Sequence, residues 1–114
     1  MADRENKKLE MPRLKMIKTL TAKKAKGLIE ENKQNPQFRI IDVRTKEEFT
    51  ENHVKGALNL DIHDQRFEQT IAKLDKQKTY LLYCKTGGRC GAAAELMEKQ
   101  GFKKVYSVIG WLFD

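Results

Sequence analysis

Cysteine is scarce in this sequence: the only two copies, Cys84 and Cys90, lie six positions apart. The N-terminus (MADRENKKLE) has no apolar stretch of the kind that directs export, and reducing compartments keep thiols free, which argues against a structural disulfide. Long apolar runs are missing as well. None approaches the roughly 20 residues that a bilayer span needs, so the expectation is a cytoplasmic protein with no membrane partner. Histidine is limited to His53 and His63, and two Cys with two His do not form the paired short spacings of a structural zinc site. There is no internal repeat and no low-complexity segment.

What is present is charge, together with enough apolar content, 39% of 114 residues, for one packed core but not two. The net charge of +7 is uneven: residues 1–34 hold ten Lys/Arg against five Asp/Glu, and the remainder thirteen against eleven. No aromatic residue interleaves those basic positions as a base-stacking platform would require. The excess therefore reads as a solvated lysine-rich helix and tail, which argues against nucleic acid as a partner and leaves docking to an acidic protein open.

Residues 1–13 are polar and aperiodic and read as a loose arm, with the folded domain over 14–114. Leu14 to Leu20 suggests an edge strand. Thr21 is then placed to cap a helix running to about Gln34, with Ala25, Leu28 and Ile29 on its buried side, ended by Asn35 and Pro36. Phe38–Asp42 is a short run of large apolar and β-branched residues, a buried strand. Thr45 and Glu48 form a capping box for a short helix that stops by His53. Ala57–Leu60 is a weak strand candidate, and Asp64 a candidate cap for a helix through Phe67, Ile71 and Leu74. Thr79–Tyr83 is the clearest strand and runs directly into Cys84. Beyond it Ala92, Ala93, Leu96 and Met97 recur at helical spacing, Gly101 and Phe102 fit a helix C-cap, and Val105–Ile109 supplies a last strand. Strands alternating with helices imply an α/β fold with a parallel sheet covered on both faces.

In such sheets reactive groups collect at the carboxyl ends of the strands, where Cys84 falls. The segment Cys84-Lys85-Thr86-Gly87-Gly88-Arg89-Cys90-Gly91 joins strand to helix. A thiol at a helix N-terminus beside Lys or Arg ionises more readily than a free one. Gly87 and Gly88 allow positive φ and can turn successive amides inward as an anion nest. Lys85 and Arg89 add positive charge suited to an anionic sulfur donor.

These residues resemble the Cys-x-x-Gly-x-Arg active-site loop of the rhodanese-like family. Ile41-Asp42-Val43-Arg44 with Glu47-Glu48-Phe49 looks like that family's Asp-Val-Arg segment, and His53-Val54-Lys55-Gly56-Ala57-Leu58-Asn59 like its His-Ile-x-Gly-Ala-x-Asn stretch. In order and spacing the likeness covers about residues 14–111. The resemblance implies a five-stranded parallel sheet with helices on both sides, and sulfur transfer through a cysteine persulfide without metal or organic cofactor. Carried over by position, Cys84 carries the persulfide and the amides from Lys85 through Thr86, Gly87 and Gly88 to Arg89 line the cradle. Thiosulfate is then the small anionic donor, and a thiol or cyanide-like group the acceptor. Asp42 and Arg44 read as mainly structural, with Arg44 near the pocket, and His53 as a loop tie rather than a proton carrier.

Two positions depart from the family pattern. Cys90 stands where a small residue is common, and is either a helix-start residue or a thiol able to resolve a Cys84 persulfide or sulfenic acid. Val108-Ile109-Gly110-Trp111 resembles a shortened form of the family's Gly-Gly-x-x-x-Trp ending, so one wall of the pocket is expected to be open or supplied by another subunit. Three alternatives stay open: a persulfide carrier docking to a sulfur-relay protein, a phosphatase, and an arsenate reductase of the same fold. Phosphatases of this fold place five residues between Cys and Arg. Here there are four, which makes a cradle too tight for a phosphate ester.

Overall fold

The structure is a computed structural model and describes residues 17–113. The arm expected over 1–13 and the start of the first expected strand, 14–16, lie outside the described residues. The chain runs β1 (Ile17–Thr21), α1 (Ala22–Glu31), β2 (Phe38–Asp42), α2 (Lys46–Glu51), β3 (Leu58–Asn59), α3 (Phe67–Ile71), β4 (Thr79–Tyr83), α4 (Gly88–Lys99) and β5 (Lys104–Ile109). The strands form one parallel sheet in the order β1-β5-β4-β2-β3, so β1 is an edge, as expected, and β4 is central.

Side chains on a strand alternate between faces, and β4 shows the consequence. Tyr80, Leu82 and the following Cys84 enter a core layer with Cys90, Ala93, Ala94 and Met97 of α4 and with Phe67 and Ile71 of α3. Leu81 and Tyr83 enter the opposite layer, with Ala25 of α1, Phe38, Ile40, Val108 and Leu112. The sheet is thus covered on both faces, and the position of Cys84 in the alternation sends its sulfur to the α4 face.

The helix ends follow local chemistry. Thr21 caps α1 by accepting from the Lys24 amide, and Thr45 with Glu48 completes the capping box of α2. At the end of α4 the Phe102 amide donates to the Met97 carbonyl at 3.2 Å and the Gly101 amide to Glu98 at 3.0 Å, a Schellman motif with Gly101 at φ +94° and Phe102 buried.

Three expectations are corrected. Helix α1 stops at Glu31 rather than near Gln34, because the Asn32 side-chain amide donates to the Leu28 carbonyl at 2.8 Å and takes up the helix end. Asp64 does not cap α3: its carboxylate accepts from the Arg66 amide at 2.8 Å, making a turn ahead of a helix that begins at Phe67 and ends at Ile71. Ala92 is exposed, and the buried stripe of α4 is instead Cys90, Ala93, Ala94 and Met97. Among the described residues no helix is long and apolar enough to cross a membrane.

Candidate active site

Strand β4 delivers Cys84 to the carboxyl edge of the sheet, and the chain then turns through residues 85–87 into α4. Gly87, the residue preceding that helix, has no side chain to cap it. The cysteine sulfur takes that role: Cys84 Sγ accepts from the Gly87 amide at 3.1 Å and from the Cys90 amide at 3.4 Å. The amides that an N-cap oxygen would serve are thereby aimed at a sulfur anion. Gly87 makes this turn at φ +122°, where a Cβ would stand 3.4 Å from Ile109 Cα and 3.5 Å from the Val108 carbonyl.

The Cys84 thiol is pulled down from an ordinary 9.0 to about 5. The Cys90 thiol contributes most, by hydrogen bonding; burial opposes the shift, and the Cys90, Gly87 and Arg89 amides outweigh it. The donors around the sulfur thus favour its thiolate form. The hydrogen bonds to the sulfur come from the amides of Gly87, within the expected span of Lys85 to Arg89, and of Cys90, one residue beyond it. Thr86 instead offers its carbonyl to the Gly110 amide at 3.2 Å, Lys85 and Gly88 are exposed, and Gly88 opens α4.

Arg89 is not free to clamp a donor. Its guanidinium makes two bonds to the Glu48 carboxylate, at 2.8 and 3.2 Å, which raises its own pKa and draws Glu48 down to about 2. This pair joins the end of the cysteine loop to α2. Sequence reasoning gave Glu48 a capping role only; its partner stands 41 positions away, and no local pattern marks the pairing.

Asp42 and Arg44 form a second, buried ion pair, with Nη2 to Oδ2 at 2.7 Å and Nε to Oδ1 at 3.0 Å. Arg44 also donates to the Asn52 carbonyl at 2.7 Å and lies over the Trp111 ring, 5.0 Å from its centroid. Asn59 donates to the carbonyls of both Asp42 and Arg44 at 3.0 Å. The pair therefore fastens the loop after β2 to its neighbours, in keeping with a structural reading. His53 stacks on Phe49 at 3.7 Å and contacts its carbonyl through Nδ1 at 2.7 Å, a local tie at the end of α2.

Cys84 and Cys90 are both free and fully buried. On the side where the wall is expected to be open or supplied by another subunit, Gly110 bonds to Thr86 and the end of β5 lies against Gly87. A cleft of about 540 Å3 between Ile29, Phe38 and Val54 lies elsewhere and does not include Cys84. What the loop can hold is therefore small, a sulfur anion ringed by amides beneath a glycine turn.

The rhodanese-like domain family matches residues 21–111. The chain belongs to the rhodanese-like family. Over 71 residues it is 38% identical to the thiosulfate sulfurtransferase GlpE of Coxiella burnetii, covering 62% of this chain and 64% of that one. It is 33% identical over 70 residues to the thiosulfate sulfurtransferase PspE of Escherichia coli, covering 61% and 67%. The chain thus spans just under two thirds of the first of these relatives. Among solved structures, the rhodanese-like domain of an Anabaena protein superposes with a TM-score of 0.68 at 26% identity, over 82% of this chain and 69% of that one.

Proposed function

We propose that the protein is a thiosulfate sulfurtransferase working through a Cys84 persulfide. The supporting observation is the sulfur itself, which accepts from two inward-facing amides at 3.1 and 3.4 Å. In this reading the Cys84 thiolate attacks the outer sulfur of thiosulfate, the sulfur–sulfur bond of the donor breaks, and sulfite leaves with the electron pair. The persulfide anion stays under the same amides until an acceptor, a thiol or cyanide, attacks its outer sulfur and frees Cys84.

The roles of the loop follow from what each group is free to do. Lys85 is exposed and supplies the unpaired charge that draws the dianionic donor. The backbone from Thr86 to Gly88 opens to admit it, since Cys84 has no exposed surface when the loop is closed. Arg89, neutralised by Glu48, positions the loop end and lends only part of its charge. Asp42 and Arg44 hold the adjacent loop. The working unit is the domain over 14–114, in a cytoplasm reducing enough to keep both thiols free.

Thiosulfate treatment followed by mass spectrometry tests the reading. One added sulfur on Cys84 in samples quenched at once after thiosulfate addition, none in Cys84→Ser, and thiocyanate formed when cyanide is present are expected. Sulfur found on Cys90 alone, or aryl-phosphate hydrolysis abolished by Cys84→Ser, would replace it. A stable persulfide that cyanide does not discharge would assign the carrier role instead.

A further inference from the structure

The transfer just described uses Cys90 through its amide, and leaves unused a second buried sulfur just after the same loop. Cys84 ends β4 and Cys90 sits in the first turn of α4, where its amide nitrogen touches Cys84 Sγ at 3.4 Å. Both side chains are fully buried in one core layer, and both are free. Cys90 Sγ also has polar company on β5: the Val108 carbonyl at 3.1 Å and Ser107 Oγ at 3.2 Å, where either sulfur or hydroxyl can donate. A thiolate formed at Cys90 would therefore be met by the Ser107 hydroxyl, itself only 2% exposed. The ionisation of the two thiols is linked, Cys84 held low and Cys90 pushed up, so the pair shares one proton and it rests on Cys90.

We propose that Cys90 is a resolving thiol, which converts the Cys84 persulfide into a Cys84–Cys90 disulfide and releases the carried sulfur as hydrosulfide. This rests on the persulfide reading above. The Cys90 proton passes to the outer sulfur of the persulfide, and the Cys90 thiolate attacks Cys84 Sγ. A bond forms between the two cysteine sulfurs; the bond from Cys84 Sγ to the outer sulfur breaks, and HS⁻ leaves with the electron pair. The sulfane sulfur is reduced to sulfide and the two cysteines are oxidised to cystine, with no outside oxidant. A thiol reductant returns the pair to its starting state.

Three features favour this route over waiting for an external acceptor. Cys84 has no exposed surface, so an outside nucleophile needs the loop to open, whereas Cys90 is already inside. The retained proton on Cys90 meets the need of the departing sulfur, which does not leave as a bare dianion. Cys90 in its protonated state also leaves the first reaction with thiosulfate to Cys84 alone. The activity that results is a thiosulfate reduction drawing two electrons from a thiol reductant at each turnover.

The test loads reduced protein with thiosulfate, removes the excess, and follows intact mass and free sulfide with no thiol added. In the wild type the added sulfur should be lost with one equivalent of sulfide released. The final mass should be two hydrogens below the reduced chain, and non-reducing peptide mapping should join Cys84 to Cys90. Cys90→Ser loses the thiol donor to Cys84 and should load more slowly, but the sulfur it does take up should stay on Cys84 with no sulfide released. Should that variant not fold, the mapped disulfide and the released sulfide in the wild type decide the matter. A wild-type persulfide that persists until thiol is added would overturn the resolving role and leave the persulfide reading standing. A wild type that neither gains sulfur nor releases sulfide would overturn both.

Discussion

Gly87 carries more of the site than its size suggests. It supplies one amide to the sulfur, turns at φ +122°, and leaves room for the backbone of Val108 and Ile109. Gly87→Ala combines a conformation that side chains rarely adopt with a close backbone contact, so it should cost about 1–3 kcal/mol in urea unfolding and raise the Cys84 pKa as the amide moves off. Gly88→Ala meets nothing within 4 Å and has no positive φ, and should leave both nearly unchanged. Equal effects from the two variants would show that the turn does not shape the cradle. At this scale the sequence was readable where one residue does one job: Cys84 followed by glycines and a helix start announces a nucleophile held by backbone. It was not readable for Cys90, whose environment is made by Ser107 and Val108 on a strand formed much later in the chain.

Between elements, the Glu48–Arg89 pair is the joint that ties α2 to the cysteine loop. Arg89, with the Thr45 amide in support, holds Glu48 at about 2 against an ordinary 4.5, despite the opposing effect of burial. A carboxylate depressed in this way stabilises the fold fully above its ordinary value, and the contribution is lost as pH falls through about 2. Wild-type stability should therefore decline over that acid window, and Glu48→Gln should be less stable at neutral pH and flatter below pH 4.5. Parallel pH profiles for the two proteins would remove the joint from the account. The elements themselves were legible where their signals are local. Phe38–Asp42 and Thr79–Tyr83 stand at their expected bounds because short β-prone runs are bordered by turn residues. The capping box at Thr45 is likewise in place. Helix α3 was overextended because Asp64 has the chemistry of a cap and uses it for a turn, and the Glu48–Arg89 joint was missed because only the folded sheet brings α2 beside α4.

For the molecule as a whole, the parallel order β1-β5-β4-β2-β3 puts the loops after β2, β4 and β5 at one edge, and the buried Asp42–Arg44 pair fastens two of them together. Removing one member leaves the other charge buried without its partner. Arg44→Leu should cost about 3–5 kcal/mol in unfolding free energy, while the folded fraction still takes up sulfur on Cys84. Loss of sulfur uptake at full stability would make Arg44 part of the donor site instead. The fold class was legible because alternating strands and helices in a chain of this length leave few architectures, whereas the bond of Gly110 to Thr86 depends on how β5 meets the loop. The central claim is that this edge of the sheet holds Cys84 as an anion, and it is tested most directly by titrating the thiolate absorbance of the wild type against Cys84→Ser. Half-ionisation is predicted near pH 5, far below an ordinary thiol; a transition remaining in the ordinary range of about 8.5 to 9 would contradict it.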